Sequence, residues 1–157
     1  MPFSRPSEDN AFLADHIALL RRSFRHCTGR DLVPARMTAP EAARYLFRAP
    51  LALLSHDTAP DPIFNYANET AMALFGLNWE EITALPSRLS AEAGDQEGRE
   101  ALLARVEAQG YVDGYSGVRI SRQGRRFRIQ DAVVWNLLDE LGAPAGQAAM
   151  FEHWQWL

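Results

Sequence analysis

The last third of the chain alternates between apolar and polar residues, and that alternation limits its fold more than any other feature. Val118 and Ile120 alternate with Arg119 and Ser121, and a polar Arg-Gln-Gly turn follows. Phe127, Ile129, Val133, Trp135 and Leu137 then share one parity, opposite Arg126, Arg128, Gln130 and Asn136. Successive side chains of a strand point to opposite faces, so this pattern predicts strands with one buried face. On that reading Val118, Ile120, Phe127 and Ile129 are buried, while Arg119, Arg126 and Arg128 are accessible. Asp139-Glu140-Leu141-Gly142 makes a second turn, into a third strand over Gln147–Trp154. The result is a three-strand antiparallel meander.

Ahead of the meander the texture is helical, then mixed. Leu13, Ile17, Leu20, Phe24 and Cys27 follow one another at spacings of 4, 3, 4 and 3. This amphipathic stripe predicts a helix over about 11–27, with Gly29 as its left-handed cap. Thr38 and Glu41 form a capping box for a second short helix, Pro40 sits in its first turn, and Tyr45, Leu46 and Phe47 supply its apolar side. Leu51–Ser55 and Ile63–Tyr66 are apolar runs bounded by turn residues and read as strands. Asn68 and Asn78 cap two short helices, the first ended by Gly76 and the second stopped before Pro86. A longer helix is centred on Arg99–Gln109, with Leu102, Leu103 and Val106 inward. The chain thus divides into a helical lead-in, residues 1–49, and an α+β body, residues 50–157.

Composition narrows the function classes. At 157 residues the chain can bury a sizeable core without staples. The 16 basic residues, all arginine, face 20 acidic ones for a net charge of −4. That balance argues against a phosphate-coating nucleic-acid binder. The single cysteine excludes an internal disulfide and a Cys-x-x-Cys zinc pair. No apolar run approaches the ~18 residues that mark a membrane span, and MPFSRPSEDN has no apolar signal core. The expectation is a cytoplasmic chain with no membrane partner.

Catalytic patterns are missing too. There is no Gly-x-Ser-x-Gly elbow for a Ser–His–acid hydrolase. His16, His26, His56 and His153 are scattered without ligand spacing, so no metal site is expected. His56 stands beside Asp57 at a strand end, where the pair has an ordinary turn to make. Arg119, Arg122, Arg125, Arg126 and Arg128 gather around one hairpin; they read either as contacts for phosphate or carboxylate groups or as a solvated hairpin balanced by Glu80, Glu81 and Asp131.

Two strands, short helices and three strands are the element order of a PAS domain, and IFNYANETAMALFGLNWEEITALP at 63–86 resembles the PAS signature. LPSRLSAE at 85–92, QGYVDGYSGVRISRQGRRFRIQDAVVWNLLDELG at 109–142 and GQAAMF at 146–151 look like the MEKHLA domain, a PAS-related family. TGRDL at 28–32 and EAARYLF at 41–47 resemble its free-standing bacterial form. The resemblance implies an α+β fold with a PAS-like five-stranded antiparallel sheet, short helices on one face and the lead-in before it. It implies a sensory or regulatory role and no reaction.

PAS domains can hold flavin, haem or small organic ligands between sheet and helices. Here LPSRLSAE lacks the cysteine of the blue-light flavin photoadduct, and residues 96–110 offer no histidine for haem. The expected protein is colourless and insensitive to light. Noncovalent flavin stays open, and the cofactor is unknown. The candidate ligand set is Phe64, Met72, Phe75, Trp79, Ile82, Leu85, Leu102, Val106, Val118, Phe127, Val133, Trp135 and Phe151, with Asn65, Gln130 and Asn136 as polar contacts. The candidate interface is the stripe Leu13, Ile17, Leu20 and Phe24 with Trp154 and Trp156, docking on its own sheet or, as favoured, in a homodimer. Three functions follow: a module binding a small apolar or mixed ligand or a protein partner; a dimerisation module with a filled core; and a small-molecule enzyme using Asp57, His56 or Arg88.

Overall fold

The computed structural model describes residues 3–92, Gly94 and residues 96–157; Met1 and Pro2 of the expected lead-in lie outside the described residues. Helices α1 (Ala14–Thr28) and α2 (Ala39–Arg48) precede strands β1 (Ala52–His56) and β2 (Phe64–Ala67). Short helices α3 (Glu69–Phe75) and α4 (Trp79–Ile82), a 3₁₀ turn at Ser87–Ser90 and helix α5 (Gln96–Gln109) follow. Strands β3 (Tyr111–Ile120), β4 (Arg126–Leu138), β5 (Pro144–Phe151) and β6 (His153–Trp156) close the chain. The sheet is antiparallel in the order β2-β1-β5-β4-β3, and β6 also pairs with β4. Val133 pairs with Met150 of β5, and Gln130 with His153 of β6. The sixth strand is therefore the expected fifth, continued past a bend at Glu152.

The marked helix ends form as expected, because caps depend on neighbouring residues. Thr38 Oγ1 accepts from the Glu41 amide at 3.3 Å and Asn78 Oδ1 from the Glu81 amide at 2.8 Å, and each glutamate answers its cap's amide. Gly29 and Gly76 take φ of +75° and +69°. Asn68, fully buried, does more than cap α3: its Oδ1 accepts from the amides of Leu53 and Ala71, and its Nδ2 donates to the carbonyls of Leu46 and Leu51. One side chain thereby ties the end of α2 to β1 and α3. Tyr45 departs from expectation. It is exposed, and the buried side of α2 is Ala42, Ala43, Leu46 and Phe47. Helix α1 also starts later than the periodicity implies, because Ala11, Phe12 and Leu13 take left-handed φ of 53° to 58°. Such a run is strained for L-residues, and it turns Phe12 inward against Phe47 at 6.0 Å.

Two strand readings need correction. Strand β4 does not keep one parity: Ile129 pairs with Gly117 but Ala132 with Tyr115, so Gln130-Asp131 bulges, with Asp131 at φ +56°. One extra residue sends every later side chain to the other face. Phe127 and Ile129 thus share a face with Ala132 and Val134, whereas Val133, Trp135 and Leu137 face the lead-in. All five expected residues are buried only because both faces are covered. Strand β3 has the opposite register to that expected. The hairpin turns on Gly124 at φ +81°, pairing Ile120 with Arg126 and Arg119 with Phe127. Arg119 is consequently on the core face and only 8% exposed, while Val118 and Ile120 are half-buried. Arg126 and Arg128 are exposed, as the alternation implies.

The lead-in covers the outer face of the sheet. Trp135 Nε1 donates to the Leu20 carbonyl at 3.2 Å, and its ring meets Phe24 edge-on at 4.9 Å. Ile17 and Leu20 have no exposed surface. Each such side chain contributes about 1.5–3 kcal/mol by leaving water. Of the stripe that could have served a homodimer, Ile17, Leu20 and Phe24 are enclosed by the chain itself and Leu13 is half-buried, while the tail folds back with Trp154 and Trp156 half-buried. Trp154 meets Phe151 at 6.0 Å, and Trp156 meets Phe127 at 5.3 Å, with the Arg125 guanidinium 4.0 Å from the Trp156 ring centre. No helix among the described residues is long and apolar enough to cross a membrane.

Candidate functional site

On the inner face, α5 and the Ser87–Ser90 turn stand off the sheet and leave a cavity of about 80 Å³. Leu54, Phe64, Phe75, Leu102, Ile129 and Phe151 make most of its wall apolar. Set into this wall are His56, Ser87, Arg99, Tyr115, Arg119 and Gln147. Arg99 reaches it from the first turns of α5, and Arg119 from β3 through the register described above. Both arginines are 8% exposed.

Each polar group is held. Arg99 Nη2 donates to Ser87 Oγ, and Ser90 Oγ donates to the Ser87 carbonyl at 2.7 Å. Arg119 Nη1 donates to its neighbour's carbonyl, Val118, at 3.0 Å, and its guanidinium lies 5.6 Å over the Tyr115 ring. Tyr115 in turn crosses Gly117, where a Cβ would run into the phenol. Among the described residues neither buried guanidinium meets a carboxylate: Asp61 is engaged by Arg88 at 3.1 Å, and the hairpin acids Glu81 and Glu92 take Arg122 and Arg126. Burial and then repulsion from Arg119 pull the Arg99 guanidinium below its ordinary range. His56 Nδ1 faces the Asp57 carbonyl at 2.9 Å, and its Nε2 is enclosed without a hydrogen-bond partner among the described residues. Gln147 lies alongside but donates instead to Asn136 Oδ1 at 3.0 Å. Burial first, and the Arg99 charge as well, lower the His56 pKa against the pull of Asp57. The imidazole is accordingly neutral at pH 7.

The structure distributes the expected ligand residues widely. Phe64, Phe75, Leu102 and Phe151 line the cavity. Met72, Ile82, Leu85, Val106 and Val118 do not, and Phe127 is packed edge-on between Phe75 and Trp156. Val133 and Trp135 are on the lead-in face, and Trp79 donates to the Phe3 carbonyl at 2.8 Å. Asn65, the extra residue of the β1–β2 irregularity, accepts from Ser55 Oγ at 2.5 Å. Ser55 can then only accept from His16 Nε2 at 2.8 Å, which assigns the proton to that nitrogen. Asn136 donates to the Val106 carbonyl at 3.0 Å, and Gln130 is half-buried on the bulge. Asp57 Oδ1 accepts from the Ala59 and Ile63 amides, so the His56–Asp57 pair makes a turn. The charged groups went unseen because Arg119 is inward only by hairpin register; the signal that could have found it is Gly124, whose left-handed turn sets that register.

A flavin does not fit these residues. About 80 Å³ has room for roughly five to eight water-sized groups, well short of a three-ring system. Cys27 is on α1, across the sheet, with its thiol toward the Asn136 carbonyl at 3.7 Å and its pKa raised by burial. Among the described residues no group of three His, Cys, Asp or Glu side chains could hold a metal ion.

Comparison with known proteins places this geometry. Among solved structures, the PAS domain of a protein from Colwellia psychrerythraea superposes with a TM-score of 0.60 at 19% identity, over 69% of this chain and 89% of that one. An RNA-binding light-oxygen-voltage receptor gives 0.63 at 21%, over 76% and 34%. The light-state dimer of the fungal blue-light photoreceptor Vivid gives 0.61 at 14%, over 87% and 92%. The fold is PAS-like. Among curated sequences, homeobox-leucine zipper protein ATHB-14 of Arabidopsis thaliana is 28% identical over 99% of this chain and 18% of its own length. Homeobox-leucine zipper protein HOX32 of Oryza sativa subsp. japonica is 27% identical over 87% and 16%. The chain thus spans less than a fifth of these plant relatives. The model of the MEKHLA domain matches residues 14–156, lead-in helix and sheet together, so the chain belongs to the MEKHLA domain family.

Proposed function

We propose that this chain is a sensory or regulatory module that takes a small molecule into the inner cavity and reports its presence through the sheet to the lead-in. The observation that carries the reading is the adjacency of two faces on β4. Val134 lines the cavity, and the next residue, Trp135, holds the Leu20 carbonyl of α1. A ligand that shifts β4 therefore changes the seat of the lead-in. The reading assigns no reaction, and the turn made by His56 and Asp57 supports that. Native mass spectrometry of freshly purified protein tests it, together with amide hydrogen exchange over 14–28. The expected result is a removable small-molecule adduct whose loss speeds exchange in α1. Bare protein, with α1 exchange unmoved by any added small molecule, would overturn it.

The second reading is a homodimeric interaction module. Its support is Vivid, which forms a dimer in its light state and matches this chain over 87% of its length. With Ile17, Leu20 and Phe24 packed inside one chain, such a dimer would use the half-buried tail, Trp154 and Trp156, or other surface. Sedimentation velocity from 1 to 100 μM decides: a concentration-dependent dimer, with no ligand bound, would favour this reading.

A further inference from the structure

We infer that the cavity recognises a small organic anion, a monocarboxylate with a compact apolar body, through Arg99 and Arg119. This rests on the ligand-binding reading above and names the ligand class. A buried guanidinium is costly unless its charge is met, and here two lie in one apolar wall at 8% exposure each. Among the described residues their donors are little used: Arg99 gives one to Ser87 Oγ, and Arg119 gives one to the Val118 carbonyl. A guanidinium carries five N–H donors in a planar fork that suits a carboxylate. The Tyr115 ring beneath Arg119 fixes its plane, and Ser87 fixes Arg99. The rest of the wall is mostly apolar, with Phe64, Phe75 and Phe151, and suits an apolar body. Its volume limits the whole ligand, carboxylate included, to roughly five to eight atoms beyond hydrogen.

The test is titration calorimetry and thermal melting with acetate, butanoate, hexanoate and benzoate, each against its uncharged amide at constant ionic strength. Butanoate or hexanoate should bind at millimolar levels or tighter, and the matching amide at least about tenfold more weakly. Arg119→Met and Arg99→Met should each lose carboxylate binding by about tenfold or more. The ligand-free Arg119→Met protein should melt no lower than the natural one, because an unmet buried charge has been removed. Amides binding as tightly as carboxylates would overturn the anion assignment and leave the ligand-binding reading standing. Carboxylates that bind both variants unchanged would place the binding elsewhere and overturn it too. An Arg119→Met chain that fails to fold would show that the cation is already compensated within the protein, and the anion assignment would fall with it. If neither series binds and native spectra are bare, this inference and the ligand-binding reading both fail.

Discussion

His16 shows how one buried side chain sets a pH dependence. It sits under Phe3 and Tyr66, gives its Nε2 proton to Ser55, and burial lowers its pKa from 6.5 to about 4. Below pH 6.5 the unfolded chain takes up a proton that the folded chain refuses until about pH 4. The stability His16 provides is therefore whole above 6.5 and is lost as pH falls from 6.5 to about 4, on the order of 3 kcal/mol. At about 2–4 °C per kcal/mol, the melting temperature should drop by roughly 10 °C across that window. His56, lowered for the same first reason, adds to the same slope. His16→Gln should flatten the melting-temperature profile between pH 6.5 and 4. An unchanged slope would show that His16 is solvated.

Strand β5 joins both halves of the sheet, and Gly146 is its tightest point. Its φ is +125°, and a Cβ there would run into the His56 carbonyl, which is backbone and has nowhere to go. Gly146→Ala should therefore part β1 from β5 next to His56↔Gln147, at a cost of about 3 kcal/mol. Urea unfolding measures it, and a loss under ~0.5 kcal/mol would refute the tight approach. Among the elements, what a few neighbouring residues decide was legible: Thr38 and Glu41, Asn68, Asn78, Gly29 and Gly76 all cap as read. Register was not legible. The Asp131 bulge splits one apparent apolar parity between two faces, and the Gly124 turn puts Arg119 where Val118 was expected. Of the cavity wall, Phe64, Phe75, Leu102 and Phe151 were foreseen, and its cations were not, because apolar–polar alternation alone puts an arginine outward.

The chain forms a sheet covered on both sides; the main core runs from Phe12 to Phe151, and a smaller cluster of Leu102, Val106, Val112 and Val134 lies under α5. The lead-in belongs to that core. Placing Asp at both Ile17 and Leu20 should bury two unmet charges, costing several kcal/mol each against a total near 5–15 kcal/mol. The double variant should lose its cooperative melt and its near-ultraviolet signal. A folded double variant that sediments as a monomer would show that the helix does not hold this sheet together. Charge at the hairpin obeys the same geometry: Arg122 and Arg126 find Glu81 and Glu92 at the surface, while Arg119 turns inward.

Sequence alone decides the elements of this protein, their order and their ends, because caps, turns and periodicity act within a few residues along the chain. It also carries the family motifs that point to a PAS-like sheet. Only the tertiary structure decides which side of that sheet each residue meets. A single bulged residue sends the later side chains of a strand to the other face, a single left-handed glycine sets which hairpin residues turn inward, and apolar–polar alternation reveals neither. The docking of α1 on Trp135 and the meeting of Arg99 with Arg119 across the cavity depend on those two events, and so does the chemistry of the candidate site.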